Sequence, residues 1–324
     1  MFQTTDALVA SVKTRGLIPS SQNTFSDSDI INFLNEELNL SLIPMIVSVR
    51  EDFFLKKKSV AVVSGQAEIG VPERAIGNAL KQVFFVDASN NRRQIIKTDE
   101  NIKRVLTPTS GTPEYFFFQG DEIVLVPTPN ASSGYVEFYY LERPNQLVPV
   151  SNAAKITAIS SVGGTTTFTV DTDLTSTFTS SAISAGTALA DVLSGKSPFM
   201  LWSTDLAVTA CTSSTIAVAT SGVTNGGGSV EPVVNDYICV AQQTPIPMIP
   251  QELHPILAQM GSARIMEALG HTDKLQVVNA KLKDMMLAAF KMICNRVEDQ
   301  PKRILNRTGL LAASGFRLGQ NSFR

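Results

Sequence analysis

The stretch QELHPILAQMGSARIMEALGHTDKLQVVNAKLKDMMLAAFKMICNRVED, residues 251–299, reads as a helical hairpin around which the rest of the chain is arranged. In its first arm, Gln251 to Leu269, the residues Leu253, Ile256, Leu257, Met260 and Ala263 recur at three- and four-residue spacing and so share one face. Gly270 supplies the stop, since glycine takes up the left-handed turn at a helix C-terminus without strain. Thr272 caps the second arm, from Asp273 to about Asp299, with an apolar stripe of Val278, Leu282, Met285, Met286, Ala289, Ile293 and Val297. At the usual rise per residue this arm is roughly 40 Å long. Lys274, Lys281, Lys283, Asp284, Lys291 and Arg296 occupy its other face, so it is expected to take a partner on one side only.

Working outward, the N-terminus carries helices of its own. Thr4 or Thr5 with Asp6 starts a short one, with Ala7, Leu8 and Val12 at helical spacing before Gly16 and Pro19. A longer one opens on Ser26-Asp27-Ser28-Asp29, where a serine cap and two acids suit the helix dipole. Ile30, Ile31, Phe33, Leu34, Leu38 and Leu42 form its stripe, and Pro44 is expected to kink or break it. These helices and the C-terminal hairpin flank everything else, so they are expected to pack as one bundle.

From Asp52 the apolar period becomes alternating. Residues 52–63 and 67–73 read as strands paired across a Ser64-Gly65 turn, and Leu80–Asp87 and Arg93–Lys97 as strands paired across Ser89-Asn90-Asn91. A short helix is expected from Asp99 to Leu106. SGTPEYFFFQGDEIVLVPTPNASSGYVEFYYLERP, residues 110–144, reads as a three-stranded meander turning at Gly120-Asp121. Between about Val150 and Thr244 charge becomes sparse and serine and threonine abundant, with β-like runs between glycine and serine clusters. That pattern suits an inserted barrel or sandwich. Pro245, Pro247 and Pro250 stiffen the return. The expected architecture is therefore α+β: a bundle from residues 1–50 and 245–300, an antiparallel sheet region at 51–149, an inserted all-β domain at 150–244, and an extended tail at 301–324.

The net charge of -2 argues against a chain that is basic overall. Cys211, Cys239 and Cys294 are odd in number, widely spaced and without CxxC or histidine neighbours, which suggests neither a disulfide framework nor a zinc site. No charged-then-apolar leader pattern and no run of 18 apolar residues occur, so a cytoplasmic site of synthesis and no membrane partner are expected. His254 beside Pro255 and His271 after Gly270 read as ordinary capping positions rather than a catalytic pair. Residues 222–229, GVTNGGGS, lack the Lys-Ser/Thr of a phosphate loop and read as a hairpin. Asp171 and Asp173 lack further oxygen ligands at calcium spacing and read as turn acids, as Glu51-Asp52 and Asp99-Glu100 read as solvated carboxylates. No active site, metal or cofactor is expected.

The basic residues cluster: Lys56-Lys57-Lys58, Arg92-Arg93, and Lys302, Arg303, Arg307, Arg317 and Arg324 in the tail. The lysine run suits nucleic-acid contact or a strand edge protected from aggregation. In the tail, charges alternate with Ile304, Leu305, Leu310, Leu311, Phe316, Leu318 and Phe323, a pattern expected to be ordered by a protein partner.

The order of parts resembles the head-to-tail adaptor (connector, or head completion) proteins of tailed bacteriophages, particularly short-tailed ones. The resemblance is carried by Ser26, Asp29, Ile30, Leu34 and Asn35, then Gly111, Pro113, Phe116, Gly120, Ile123, Leu125, Pro127, Pro129, Tyr139 and Tyr140, and finally Pro250 with Leu257. It covers about residues 20–145 and 245–300, and the serine- and threonine-rich insert departs from it. It implies a dodecameric ring under the portal protein that extends the DNA channel and offers a platform to further tail, nozzle or fibre proteins. On that view Arg303, Arg307, Leu310, Leu311, Phe316, Arg317 and Phe323 would meet the portal. Lys274, Lys281, Lys283, Asp284 and Lys291 would line the channel in transient, non-specific contact with double-stranded DNA. The competing readings are a tail-fibre or sugar-binding virion component, which predicts trimeric β-solenoid repeats, and a tail-associated glycosidase, which requires a carboxylate pair in a cleft.

Overall fold

The computed structural model describes residues 4–16, 25–101, 110–197, 199–223 and 232–293. Helix α1 (Thr5–Arg15) begins where the Thr4 side chain accepts from the Ala7 amide, and both the amide and the hydroxyl of Thr5 donate to the Pro245 carbonyl at 2.8 Å. Helix α2 (Asp27–Glu37) opens on a complete capping box between Ser26 and Asp29. Pro44 does not break this helical segment. The chain widens into a π-turn over Leu38–Leu42 and continues as α3 (Ile43–Val49). A wider turn makes room for the proline ring and leaves no donor missing from the ladder that resumes beyond it. By length and composition alone Asp27–Val49 would pass as a membrane span, yet its Ile30, Leu34, Leu38, Leu42 and Ile46 are buried in protein.

The strands beyond α3 sort into two facing sheets. β1 (Leu55–Ala61), β3 (Ala75–Val86), β4 (Arg92–Gln94) and β10 (Tyr135–Glu142) form one, in the order β1-β10-β3-β4. β2 (Glu68–Gly70), β5 (Ile96–Lys97), β7 (Tyr115–Gln119) and β8 (Glu122–Val126) form the other, in the order β2-β8-β7-β5. The short β6 (Ser110–Gly111) and β9 (Thr128–Pro129) pair beside them. Val83, Phe85, Val136 and Phe138 from the first sheet meet Ile69, Phe116, Ile123 and Leu125 from the second in one core.

This arrangement corrects two expectations. Residues 52–63 and 67–73 do not pair with each other: Gly65, at φ +82°, hands the chain from one sheet to the other, and β1 pairs with β10 while β2 pairs with β8. Strand β10 brings Glu137 and Glu142 as counter-charges to Lys57 and Lys56, an advantage the adjacent short strand does not match. The 110–144 segment is a hairpin, not a meander. Pro127 and Pro129 lack the amide a continuing ladder needs, and the chain crosses to the first sheet at Gly134, where a Cβ would sit 2.4 Å from the Val86 carbonyl oxygen. The hairpin at Ser89-Asn90-Asn91 forms over Phe84–Val86 and Arg92–Gln94, with Asn90 at φ +65° and the Asp87 carboxylate accepting from the Ser89 and Asn91 amides. Ile96 and Lys97 then leave it to pair with β7. Most of the helix expected over Asp99–Leu106 lies outside the described residues.

β11 (Gln146–Leu147) leads into a closed six-stranded barrel. Its strands are β12 (Ala153–Val162), β13 (Thr165–Val170), β14 (Leu189–Leu193), β15 (Leu201–Cys211), β16 (Thr215–Ala219) and β17 (Tyr237–Val240). They close in the order β12-β13-β16-β15-β14-β17, with short helices α4 (Ser180–Ser184) and α5 (Thr220–Val223) between them. Ile156, Phe168, Val192, Val208, Ile216 and Ile238 fill the interior. β18 (Gln243–Thr244) returns parallel to β11. Helices α6 (His254–Ala268) and α7 (Thr272–Ile293) complete the described chain, and Gly270 separates them at φ +71°.

Leu8 and Val12 of α1, Ile30 and Leu34 of α2, Ile46 of α3, Leu257 and Met260 of α6, and Ala289 and Ile293 of α7 belong to one hydrophobic cluster. Contact is close: a Cβ at Gly261 would lie 2.8 Å from a Leu34 methyl and 3.2 Å from a Val12 methyl.

Candidate functional site

The most elaborate polar construction joins the first sheet to the barrel. Arg74, just after Pro72, is buried, and its Nη2 donates to both Asp191 oxygens at 2.8 and 2.9 Å and to Asp205 Oδ1 at 2.6 Å. Its Nε donates to Asp205 Oδ2 at 3.1 Å and its Nη1 to Asn145 Oδ1 at 3.0 Å. Asp191 is fully buried on β14 and also accepts from Asn145 Nδ2 (2.7 Å) and from the Gln242 and Asp205 amides (2.8 and 2.9 Å). The β14–β15 register shifts near Ala190 and Val192, and Asp205, at φ +55°, is aimed back at Asp191 and Arg74. Burial would lower the Arg74 pKa, but hydrogen bonds to Asp205 and Asp191 and their charges outweigh it and hold the guanidinium above its ordinary range. The planar fork of arginine is what lets one side chain satisfy three partners.

Beside this joint lies a cleft of about 500 Å³ between the β1 edge and the first residues of β15, lined by Lys56, Lys58, Arg74, Tyr140, Glu142 and Trp202 among others. Glu142 is 5% exposed, and its nearest charge is Lys56 Nζ at 3.8 Å. Burial raises its pKa, Lys56 and Arg74 oppose the rise, and Asp191 and Asp205 add to it. Burial also pushes the Tyr140 hydroxyl up, with Glu142 adding to the shift. Trp202 is oriented by its Nε1, which donates to the buried Asp236 at 2.7 Å. These groups can hold and orient a polar partner.

None of these joint residues was among the candidates read from sequence. Asp191 carried a usable signal: it is the single charge inside the apolar run ALADVL, and a buried carboxylate there demands a cation. Among the residues expected to line a channel, Lys281, Lys283, Asp284 and Lys291 are exposed on α7. Their helix packs Leu282, Met285, Met286, Ala289 and Ile293 on the core and leaves Val277, Leu287 and Met292 exposed. The side chain of Lys274 and the whole set Arg303, Arg307, Leu310, Leu311, Phe316, Arg317 and Phe323 lie outside the described residues, as do Cys294 and residues 224–229.

His254 is not a cap but a core residue, fully buried and stacked on Phe199 with ring centroids 5.4 Å apart. Its Nε2 lies 3.3 Å from the Ile249 carbonyl oxygen, and burial lowers its pKa. His271 is exposed at the α6–α7 turn. Asp171 accepts from the Lys155 amide and Asp173 from the Thr175 amide, as turn acids do. Among the described residues no group of three or more His, Cys, Asp or Glu could hold a metal ion. Lys56–Lys58 sits on the outer strand of the first sheet, while Arg92 lies over the Phe84 ring at 3.7 Å and pairs with Glu137 at 3.0 Å.

Residues 3–161, from before α1 to the first strand of the barrel, match the family model described as SU10 adaptor protein. That part of the chain is similar to the SU10 adaptor family. The match supports a phage head-to-tail adaptor, a structural protein. It includes the capping box at Ser26, both facing sheets and Arg74, whereas most of the barrel and the α6–α7 hairpin lie beyond it. No curated protein matches the chain.

Proposed function

We propose that this chain is one subunit of the ring at the head-to-tail junction of a phage virion, of the short-tailed type. The ring would bind beneath the portal protein, continue the DNA channel and carry further tail, nozzle or fibre proteins. The observation that carries the reading is the family match over residues 3–161. A one-sided α7, with its apolar stripe on the core and charged residues outside, is consistent with it. The subunit would be made in the host cytoplasm and act without catalysis or cofactor. Neighbours in a closed ring meet through unlike faces, so each subunit offers two different surfaces; twelve copies is the expected number.

Attachment to the portal is assigned to residues 301–324. By sequence, Pro301 disfavours helical continuation, and Gly309, Gly315 and Gly319 each disfavour it by about 1 kcal/mol relative to alanine. Leu310, Leu311 and Phe316 would supply roughly 1.5–3 kcal/mol each on burial, multiplied around a ring, with arginines pairing to portal carboxylates. Electron microscopy of the full chain mixed with its portal should show a ring on the portal's narrow end. Deleting residues 303–324 should abolish that association, and a truncated chain that binds as tightly as the full one would overturn the assignment.

A further inference from the structure

β1 is the outer strand of its sheet, paired with β10 on one side and with no strand on the other among the described residues. Across the cleft β16 pairs with β15 only over Val208–Cys211, and over its first half β15 meets α5, where the Ser203 hydroxyl donates to the Val223 carbonyl, rather than a second strand among the described residues. Between these segments the bridge is a side chain: Lys56 Nζ donates to the Leu201 carbonyl at 3.3 Å. In the β1–β10 register Lys56 lies opposite Tyr140 and Lys58 opposite Phe138, so both lysines share the face on which Glu142 also stands. Lys58 is exposed and has no ion pair among the described residues, and Glu142 accepts no hydrogen bond among them.

An unpaired edge invites another strand, and the charges decide which. Two β1 edges from separate copies would set lysine against lysine, which is destabilising, so the edge discourages a second copy. The same lysines favour a strand that brings carboxylates. The spacings of β-structure give about 160 Å³ per added residue, so a cleft of about 500 Å³ takes about three, the length of the Lys56–Lys58 run. We infer that the cleft between β1 and β15 is a strand-addition site for an extended segment of a partner protein with acidic residues at alternate positions. Its backbone pairs with the β1 edge, its carboxylates meet Lys56 and Lys58, and its amide or hydroxyl donors reach Glu142. The inference stands apart from the adaptor reading, which survives if this one fails.

The test uses the full chain and a fluorescein-labelled hexapeptide alternating glutamate and valine, with a lysine–valine peptide as control. The acidic peptide should bind saturably by anisotropy and slow amide hydrogen exchange over residues 55–61, and the control should do neither. Lys58→Glu, at an exposed position, should weaken acidic-peptide binding by about five-fold or more and improve binding of the control. Unchanged Trp202 fluorescence would certify that the variant is folded. No binding at millimolar peptide, binding that leaves 55–61 unprotected, or equal binding to Lys58→Glu would each overturn the inference.

Discussion

Replacing Arg74 with methionine keeps most of the side-chain volume and removes the guanidinium, leaving Asp191 fully buried with no cation against it. Removing one partner of a buried ion pair typically costs 3–5 kcal/mol. Asp191 would keep three donors, Asn145 Nδ2 and the Gln242 and Asp205 amides, so the loss should sit at the low end, about 3 kcal/mol. The contact with Asp205 adds little, because that carboxylate is 40% exposed. Trp202 is the only tryptophan and stands in the barrel beside the joint, so urea unfolding followed by its fluorescence reads the perturbed region. Adding Asp191→Asn to Arg74→Met should recover part of the loss, giving a coupling of about 2 kcal/mol in the double-mutant cycle. A loss below about 1 kcal/mol, or strict additivity of the two changes, would refute the account of the joint as a buried, mutually dependent pair.

Glu142→Gln tests the neighbouring carboxylate. Burial raises its folded pKa, so its stabilising share is complete below the ordinary carboxylate range and is lost as pH rises through the raised value. The substitution should therefore stabilise the protein at pH 7 and give little at pH 3, and equal effects at both pH values would contradict this. Excising residues 150–244 and joining the flanks with a short linker should leave the helices and two sheets melting cooperatively by circular dichroism; a broad, non-cooperative melt would show that the barrel is needed for that core. Because α7 mixes Lys281, Lys283 and Lys291 with Asp284, duplex DNA binding should be weak, independent of sequence and lost at higher salt, and tight binding to one duplex at physiological salt would exclude a sliding contact.

What was legible in the sequence is what local chemistry decides. The Ser26 cap, the left-handed Asn90 turn and the Gly270 break each depend on a few adjacent residues, and each formed as read, with Asp29 adding the reciprocal bond of a capping box. The helical stripe of α7 was legible too, because its period does not depend on its neighbour. Strand partners were not, since pairing is chosen among distant candidates: β1 found β10, some 80 positions on, over the nearby β2. LADVL escaped as a strand because a continuous apolar run shows no alternation, and with it went Asp191 and its partner Arg74, 117 positions away. His254 read as a cap because Pro255 marks a first helical turn, and nothing local announced that Phe199 would stack on it.

The contact at Gly261 bears on how the chain comes to be folded during synthesis. Leu8, Val12 and Leu34 emerge early, yet the surface they fit, Leu257, Met260 and the bare backbone of Gly261, is made about 200 residues later. At 5–20 residues per second that delay is about 10–40 s. The barrel, whose six strands are contiguous in the chain, can close in that interval, before Ile246, Met248 and His254 arrive to cover Leu193, Phe199 and Leu201. The nascent N-terminal helices meanwhile display a greasy stripe that Phe54, Leu141 and Leu147 cover only in part. A ribosome-bound chain halted once β17 has left the exit tunnel, with α6 still inside it, should therefore hold a finished barrel and recruit chaperones to its N-terminal helices, and release of those chaperones should coincide with the emergence of α6.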